Sequence, residues 1–402
     1  MAGEQVSAAK PQLRIGMISQ HDVLDPNAMS GTPNKAYQAL CAAGYAVTPI
    51  FPQPRPHTLP FRAMRRLREY RDRLLPPSPR REYEAKFRAA REAAAQVAVE
   101  LGKHDVDALL GVCAGEIIAF LPTDLPMVFA SDATAATILE SYAMYATRSD
   151  GLKRAKHEIE QLSLDRASHF AAAAEYVAAS AIADYHQSPE KVCCIEFGSN
   201  VVNAGEPISI RAPDPGNFQL VLVAADPVRK RLDFCVEVVE ALHQRGWNTT
   251  LTFIGGESPI ARESPHVNWL GRLQLSDPRD QARHREALQA CDWMILPSRA
   301  EAFGIAPCEA AQFARPSIVS DVGGLPTVVR HGETGIVMPA EASAQDYAEA
   351  LIAASSDAAR YTALCENARE RAENVLNWDA WARRVGALVE RCVAQREAAD
   401  RA

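Results

Sequence analysis

The feature that most constrains the fold is a series of short apolar runs separated by helical stretches, which the chain goes through twice. In the first half, the runs that we predict as buried strands are residues 13–18, 46–50, 108–112, 127–130, 176–179 and 192–197. In the second half, they are residues 218–224, 249–254, 267–270, 293–296, 317–320 and 335–338. Strands that alternate with helices form βαβ units, which build parallel sheets. The sequence therefore predicts an α/β fold of two doubly wound, Rossmann-like domains that face each other across a cleft.

A stretch rich in turn-forming residues separates the two halves. Residues 203–217 contain three prolines and two glycines and are typical of a linker. We place the first domain at 1–203 and the second at 204–377, since 402 residues exceed one hydrophobic core. The last predicted helix, 378–402, has no strand after it, so we expect it to pack back on the first domain. Open α/β sheets bind ligands beyond the carboxyl ends of their strands, which predicts a site in the cleft.

Composition excludes several other classes of protein. A net charge of -7 argues against nucleic acid as the main partner. The nine cysteines include no C-x-x-C pair, and the ten histidines form no H-E-x-x-H motif, so we expect reduced thiols and no metal site. The first residues, MAGEQVSAAK, lack the features of a signal peptide, and no apolar run is long enough to span a bilayer. We therefore expect a cytoplasmic protein.

The most informative segment is PSRAEAFGIAPCEAAQFARPSIVSDVGGLPTVV, residues 297–329. It predicts a loop with Glu301, a glycine at 304 that permits close approach of the backbone to a ligand, and a helix from about Ile305 that contains Glu309. A carboxylate can accept two hydrogen bonds from the vicinal hydroxyls of a sugar. The alternative is that both glutamates only cap and solubilise a surface helix.

The whole string resembles the donor-binding signature of the retaining glycosyltransferases of family 4, which have the GT-B fold. The matching parts are Glu301, Phe303-Gly304, Glu309, Pro316 and Asp321-Val322-Gly323-Gly324. By this resemblance, Glu301 contacts hydroxyls of the transferred sugar and Glu309 holds the ribose of the nucleotide. The resemblance also assigns Phe303, Gly304 and Ile305 to the sugar and the phosphate.

A basic stretch follows the first strand of the second domain and matches another element of that family. Arg229 and Lys230 stand where relatives neutralise the diphosphate of the donor, and Arg231 replaces the glycine that usually comes next. This departure leaves open which of the three cations contacts phosphate. The alternative is a solvated basic turn.

Two residues of the first domain are weaker candidates. Gly31 lies in a loop after the first strand, where relatives bring a helix close to the diphosphate. The sequence lacks a G-x-G-x-x-G motif, which argues against a dehydrogenase. Asp132 follows a short strand and is placed to contact a sugar or the acceptor. It is equally suited to be the N-cap of the following helix.

Residues 55–91 contain twelve basic side chains against four acidic ones in an otherwise acidic protein. One interpretation is a surface for anionic lipid or a phosphorylated, lipid-linked acceptor, with peripheral attachment to the inner face of a membrane. The other is a solvated helix face.

Together these features predict a retaining glycosyltransferase that moves a sugar from a nucleotide diphosphate sugar to an acceptor that the sequence does not identify. The resemblance implies a front-face mechanism with no metal and no further cofactor. The alternatives are an epimerase or pseudo-glycosyltransferase of the same fold, or a catalytically silent protein that binds sugar nucleotides.

Overall fold

The computed structural model describes residues 12–53, 78–203 and 205–401, and within them the first half forms a parallel six-stranded sheet. The strands lie side by side in the order β2-β1-β3-β4-β5-β6. Their bounds are β1 Arg14–Ile18, β2 Ala46–Ile50, β3 Ala108–Val112, β4 Met127–Ser131, β5 His169–Ala172 and β6 Val192–Cys194. β1, β3, β4 and β5 are almost entirely buried, as expected of a sheet covered by helices on both faces.

The second half forms another parallel six-stranded sheet, in the order β12-β11-β10-β7-β8-β9. Its strands are β7 Phe218–Ala224, β8 Thr249–Gly255, β9 Val267–Gly271, β10 Trp293–Leu296, β11 Ser317–Ser320 and β12 Gly335–Met338. Counted from its own first strand, this is the order 3-2-1-4-5-6 of dinucleotide-binding Rossmann domains. The strand order reverses between β7 and β10, and the carboxyl ends of these strands therefore flank a natural ligand-binding crevice.

Helices connect the strands and cover the sheets. In the first half they are α1 Thr32–Ala42, α2 Pro79–Leu101, α3 Gly115–Ile118, α4 Ala135–Ser141, α5 Asp150–Arg166 and α6 Glu175–Ala183. In the second half they are α7 Leu232–Gln244, α8 Pro259–Glu263, α9 Pro278–Ala290, α10 Ile305–Ala311, α11 Leu325–Val328, α12 Ala344–Ser355, α13 Ala358–Asn374 and α14 Trp378–Arg401. Among the helices described, none has the length and apolarity needed to cross a bilayer.

The predicted fold class is confirmed, and one predicted strand is wrong. Residues 176–179 lie in α6, and the fifth strand of the first sheet is β5, about seven residues earlier. The stretch from Phe170 to Ala183 is apolar with one charged residue, Glu175. Periodicity cannot separate a buried strand from a buried helix in such a run. The domain boundaries at 203/204 and 377/378 stay predictions.

The last helix packs on the first half, as predicted. α14 contacts α1 and the strands β3, β4 and β5, after the chain has left the second sheet. Trp378 stacks on the ring of Phe197, with centroids 5.5 Å apart, and Trp381 is buried beside them. Gly386 lies against the ring of Tyr45, where a β-carbon would come within 2.2 Å of the phenol oxygen. This helix is therefore part of the core that supports the first sheet.

We expect Trp381→Ala to destabilise the protein by about 3–5 kcal/mol, because the substitution leaves a cavity under α14. Thermal unfolding of the variant should show a lower melting temperature for the first lobe, with the second lobe less affected. Arg383→Ala, an exposed position on the same helix, is the matched control and should leave the melting temperature close to that of the wild type. An unchanged melting temperature for Trp381→Ala would contradict the structural role of α14.

Candidate functional site

A cleft of about 890 Å³, counting its open mouth, lies at the carboxyl edge of the second sheet. Residues at the ends of β7, β8 and β9 form its floor, and α9 and α10 supply one wall. Its lining from the second half includes Val223, Lys230, Gly255, Arg272, Gln274, His284, Ile305, Ala306 and Glu309. Pro26, Asn27 and Asn200 line it from the first half. The cleft therefore lies between the two lobes, where the sequence predicts the site.

Glu301 is the point at which the predicted basic residues converge. Its Oε2 atom lies 3.2 Å from Nη1 of Arg229 and 3.4 Å from Nζ of Lys230, and its side chain is 11% exposed. Nη1 of Arg229 also donates to the carbonyl of Ala300 at 2.5 Å. The alternative of a solvated basic turn does not hold, because both cations are mostly covered and face one carboxylate.

Arg231 takes no part in this cluster. Its backbone has φ of 55°, the left-handed conformation that glycine adopts without strain, and it precedes the first residue of α7. Its guanidinium lies over the ring of Phe234, 3.8 Å from the centroid. The structure therefore explains why a glycine suits this position, and it leaves Arg229 and Lys230 as the cations near Glu301.

The loop that carries Glu301 is held by the glycine pair after β11. The amide of Gly324 donates to the carbonyl of Glu301 at 3.2 Å. A β-carbon on Gly323 would come within 1.9 Å of that carbonyl oxygen, and one on Gly324 would come within 2.5 Å of the carbonyl of Ala302. Only glycines allow the two loops to approach so closely, so the D-x-G-G string has a structural reason here.

Glu309 is buried in the wall of the cleft. Its Oε2 atom lies 3.3 Å from Nε2 of His284, on α9, and both side chains are 5% exposed. Glu309 is the fifth residue of α10 and lines the cleft together with Ile305 and Ala306 at the start of that helix. The alternative of a solubilising surface glutamate therefore fails for Glu309.

Phe303 and Gly304 shape the loop in a different way. The ring of Phe303 is buried in the core and packs edge-on against Phe197, with centroids 5.6 Å apart. Gly304 has φ of 111° and directs the chain into α10. A contact between residue 303 and a ligand in the cleft would therefore come from its backbone, and its side chain anchors the loop.

The first lobe supplies residues to this site that the sequence analysis missed. Arg229 lies over the ring of Tyr142, 5.5 Å from the centroid, and the phenol of Tyr176 donates to the carbonyl of Ala302 at 2.9 Å. Burial raises the pKa of Tyr142 to about 12, and the negative charge of Glu301 acts in the same direction. Tyr142 directly follows α4 and Tyr176 lies in the first turn of α6, and no local sequence pattern links them to residues in the second lobe.

Gly31 and Asp132 lie on the first-lobe side. Gly31 has φ of 87° and precedes α1, and a β-carbon there would meet the carbonyl of Pro26 at 3.0 Å. Asp132 is not an N-cap, because Thr134 caps α4 with its own side chain. Burial raises the pKa of Asp132, and Glu301 contributes in the same direction. The two carboxyls therefore interact across the cleft.

Asp132 also lines a second cavity, of about 680 Å³, at the carboxyl edge of the first sheet. Lys86 on α2 and Glu116 on α3 form an ion pair in its wall. Glu160, on α5, has a buried Oε1 atom with no hydrogen-bond partner among the described residues. Burial raises the pKa of Glu160 to about 8, although Lys156 opposes this shift. The cavity therefore has a mixed lining of acidic and basic groups.

Most of the Arg-rich region 55–91, interpreted either as a surface for an anionic partner or as a solvated helix face, falls within residues 54–77, which lie outside the described residues. Of the described part, Arg80 pairs with Glu84 at 2.8 Å and Arg91 lies over the ring of Phe120, 5.3 Å from its centroid. Lys86 faces the first-lobe cavity. In the described ranges, no group of three or more His, Cys, Asp or Glu side chains is arranged to hold a metal ion.

Comparison with known proteins finds a family match in the second half of the chain. Residues 217–357 match the family model of the glycosyl transferases group 1. The chain is 27% identical over 210 residues to the D-inositol 3-phosphate glycosyltransferase of Rhodococcus erythropolis, covering 48% of this chain and 47% of that protein. It is 35% identical over 108 residues to the enzyme of the same name from Rhodococcus opacus, covering 27% and 24%. The matches thus span half or less of the length of these relatives.

Solved structures match over nearly the whole chain. Sucrose-phosphate synthase of Thermosynechococcus elongatus has a TM-score of 0.68 at 20% identity, covering 96% of this chain and 100% of that one. Anabaena HepE, solved in complex with UDP and glucose, has a TM-score of 0.62 at 15% identity, covering 94% and 100%. At these identities the likeness shows the fold, which is the GT-B arrangement of two Rossmann-like lobes.

We expect Glu160 to reduce the stability of the wild type as pH rises from about 5 to about 8. Its folded pKa of about 8 lies above the ordinary 4.5, so in this window the folded state retains a proton that the unfolded state has lost. Each pKa unit corresponds to about 1.4 kcal/mol, so the shift costs on the order of a few kcal/mol at pH 8.

Melting temperatures measured across this pH range test the assignment. Glu160→Gln should melt above the wild type at pH 8 and depend less on pH. Glu140→Gln, which removes an exposed carboxylate from α4, should follow the wild type. If Glu160→Gln kept the full pH dependence, the buried, protonated state of Glu160 would be wrong.

Proposed function

We propose that this chain, whose residues 217–357 match the family model of the glycosyl transferases group 1, transfers a sugar from a nucleoside diphosphate sugar to an acceptor bound by the first lobe. The observation that carries the proposal is the convergence of Arg229 and Lys230 on Glu301 at the edge of a cleft that also contains Glu309. Such a donor requires two cations for the diphosphate, a carboxylate for the sugar and a carboxylate for the nucleoside.

Arg229 and Lys230 would bind the diphosphate. The leaving nucleoside diphosphate gains negative charge as the bond to the sugar breaks, so fixed cations stabilise the transition state more than the bound donor. Glu301 lies 3.2 and 3.4 Å from the two cations and keeps them side by side, where one diphosphate can reach both. We therefore propose that the reaction needs no metal ion.

Glu301 and Glu309 would contact different parts of the donor. Glu301 lies next to the cations, where the sugar attached to the second phosphate would be, and it can accept hydrogen bonds from sugar hydroxyls. Glu309 lies in the wall of the cleft, where its carboxylate can accept the two hydroxyls of a ribose. The complex of the structural relative HepE with UDP and glucose supports a donor of this chemical class.

We propose that the configuration at the anomeric carbon is retained through front-face substitution. The bond from the anomeric carbon to the phosphate oxygen breaks, the acceptor oxygen bonds to the same face, and its proton passes to the departing phosphate. Burial raises the pKa of Asp132, and we assign this carboxyl an acceptor hydroxyl as its hydrogen-bond partner.

The acceptor would occupy the first-lobe cavity. This cavity reaches Asp132, and the charge of Asp132 interacts with that of Glu301, so an acceptor there lies next to the donor sugar. Its carboxyls and lysines suit an acceptor rich in hydroxyl groups. The D-inositol 3-phosphate named for the sequence relatives is a polyol phosphate, and we propose a polyol as the acceptor class.

The wild-type protein should bind a nucleoside diphosphate equally well in the presence and absence of a chelator. Calorimetric titration with UDP, ADP, GDP and CDP, with and without EDTA, measures this directly. Arg229→Ala should weaken binding by about 1.5–3 kcal/mol through the lost charged hydrogen bonds to phosphate. Arg231→Ala, which removes the neighbouring cation outside the cluster, is the control and should have a smaller effect. Loss of binding on addition of EDTA would refute the metal-independent mechanism.

Substitution of the two glutamates should have different kinetic effects. Glu301→Ala should spare the affinity for the bare nucleotide and lower kcat by about 10²-fold, because sugar contacts tighten as the ring gains positive charge. Glu309→Ala should weaken nucleotide binding by about 1–3 kcal/mol through lost hydrogen bonds to the ribose. Titration with nucleotide and steady-state kinetics on both variants decide the assignment. Full turnover by Glu301→Ala would contradict the proposed contact between Glu301 and the sugar. A loss of nucleotide affinity in Glu301→Ala together with a loss of kcat alone in Glu309→Ala would show that the two roles are exchanged.

A further inference from the structure

A buried histidine without a hydrogen-bond partner stands in the wall of the donor cleft. His284 lies in the middle of α9 and is 4% exposed. Neither of its ring nitrogens makes a hydrogen bond within the described part of the chain. Burial of an imidazole in this state is costly, and native structures rarely retain such a group without a reason. His284 lines the cleft, so we look for the reason for its unpaired state in the cleft.

The nearest acceptor is Glu309. The distance from Nε2 of His284 to Oε2 of Glu309 is 3.3 Å, within reach of a hydrogen bond, but the two groups are not aligned to form one. A small rotation of the carboxylate would align them. Because both side chains are almost fully buried, no water in the open cleft competes strongly for this contact.

We propose that His284 is a positioning residue for Glu309 in the binding of the donor nucleotide. When the ribose enters, the N–H at Nε2 donates to Glu309 and fixes the plane of the carboxylate, which then accepts both ribose hydroxyls. The inference rests on the proposed function and adds to it the group that orients the ribose carboxylate. A histidine suits this role, since its short, stiff side chain supplies one directed N–H to Glu309.

The alternative is a histidine that only fills space between α9 and α10. The two roles differ in one measurable property, which is the dependence of binding on the 2′- and 3′-hydroxyls of the nucleotide. A positioning residue for Glu309 affects the ribonucleotide and not its 2′,3′-dideoxy counterpart, which lacks both partners of that carboxylate. A space-filling residue affects both equally, because its loss disturbs the whole wall.

The test compares two variants of similar size. His284→Leu keeps the volume and removes the donor, whereas His284→Gln keeps an N–H donor. Each is titrated with the ribonucleoside diphosphate that the wild type binds most tightly and with its 2′,3′-dideoxy form. His284→Leu should weaken binding of the ribonucleotide about 10-fold and leave binding of the dideoxynucleotide within about 2-fold, as for one lost hydrogen bond to a charged group. His284→Gln should recover most of the loss.

A coupling measurement and a control complete the experiment. The double variant of His284→Leu with Glu309→Ala should bind no more weakly than Glu309→Ala alone, because His284 acts through that carboxylate. Glu286→Ala, an exposed position on the same helix, should bind both nucleotides as the wild type does. Melting temperatures confirm that each variant is folded.

Three results would overturn the inference: equal losses for both nucleotides, no loss in His284→Leu, or additive losses in the double variant. In all three cases, the donor assignment would still hold as long as the wild type bound the ribonucleotide. A wild type that bound no nucleoside diphosphate would instead overturn the donor assignment, and this inference with it.

Discussion

The site depends on the contact between one carboxylate and two cations. Glu301 lies within 3.4 Å of both Arg229 and Lys230, although the cations belong to the loop after β7 and the carboxylate to the loop after β10. These strands are neighbours in the second sheet, so the sheet order brings the two loops together. The attraction offsets the cost of partly burying three charges, and it keeps the cations from turning towards solvent. The three side chains therefore form one charge cluster with a fixed geometry at the edge of the cleft.

Much of the fold could be predicted from the sequence because its strands are short, buried and evenly spaced. Eleven of the twelve predicted strands overlap the observed ones, and the exception lies in a run of alanines and other small residues. There, helix and strand both bury the segment equally well, and the choice depends on tertiary packing. The run at β1 is short and is followed by turn-forming residues, and these two features separate a buried strand from a helix.

Only part of the candidate site could be predicted from the sequence, because the two lobes build their parts of the site in different ways. In the second lobe, Glu301, Glu309 and the glycines lie within one continuous segment, where spacing reports geometry. In the first lobe, Tyr142 and Tyr176 reach the same site through contacts with residues more than eighty positions away. Glu160 and His284 belong to no recognisable pattern in the sequence of their helices. They stand out only because each has a buried side-chain atom with no hydrogen-bond partner among the described residues. Such signals arise from packing and have no counterpart in local sequence.

The hydrogen bond from Tyr176 to the carbonyl of Ala302 joins the helix start after β5 to the loop that carries Glu301. Close by, the amide of Glu175 donates to Thr327, and its carboxylate pairs with Arg330. The shape of the loop that carries Glu301 is thus a joint property of both lobes. Under the proposed function, thermodynamic linkage requires reciprocity: whatever free energy an acceptor in the first lobe adds to donor binding, the donor must add to acceptor binding in equal amount. Cooperativity between the two substrates would then pass through the backbone carbonyl of Ala302.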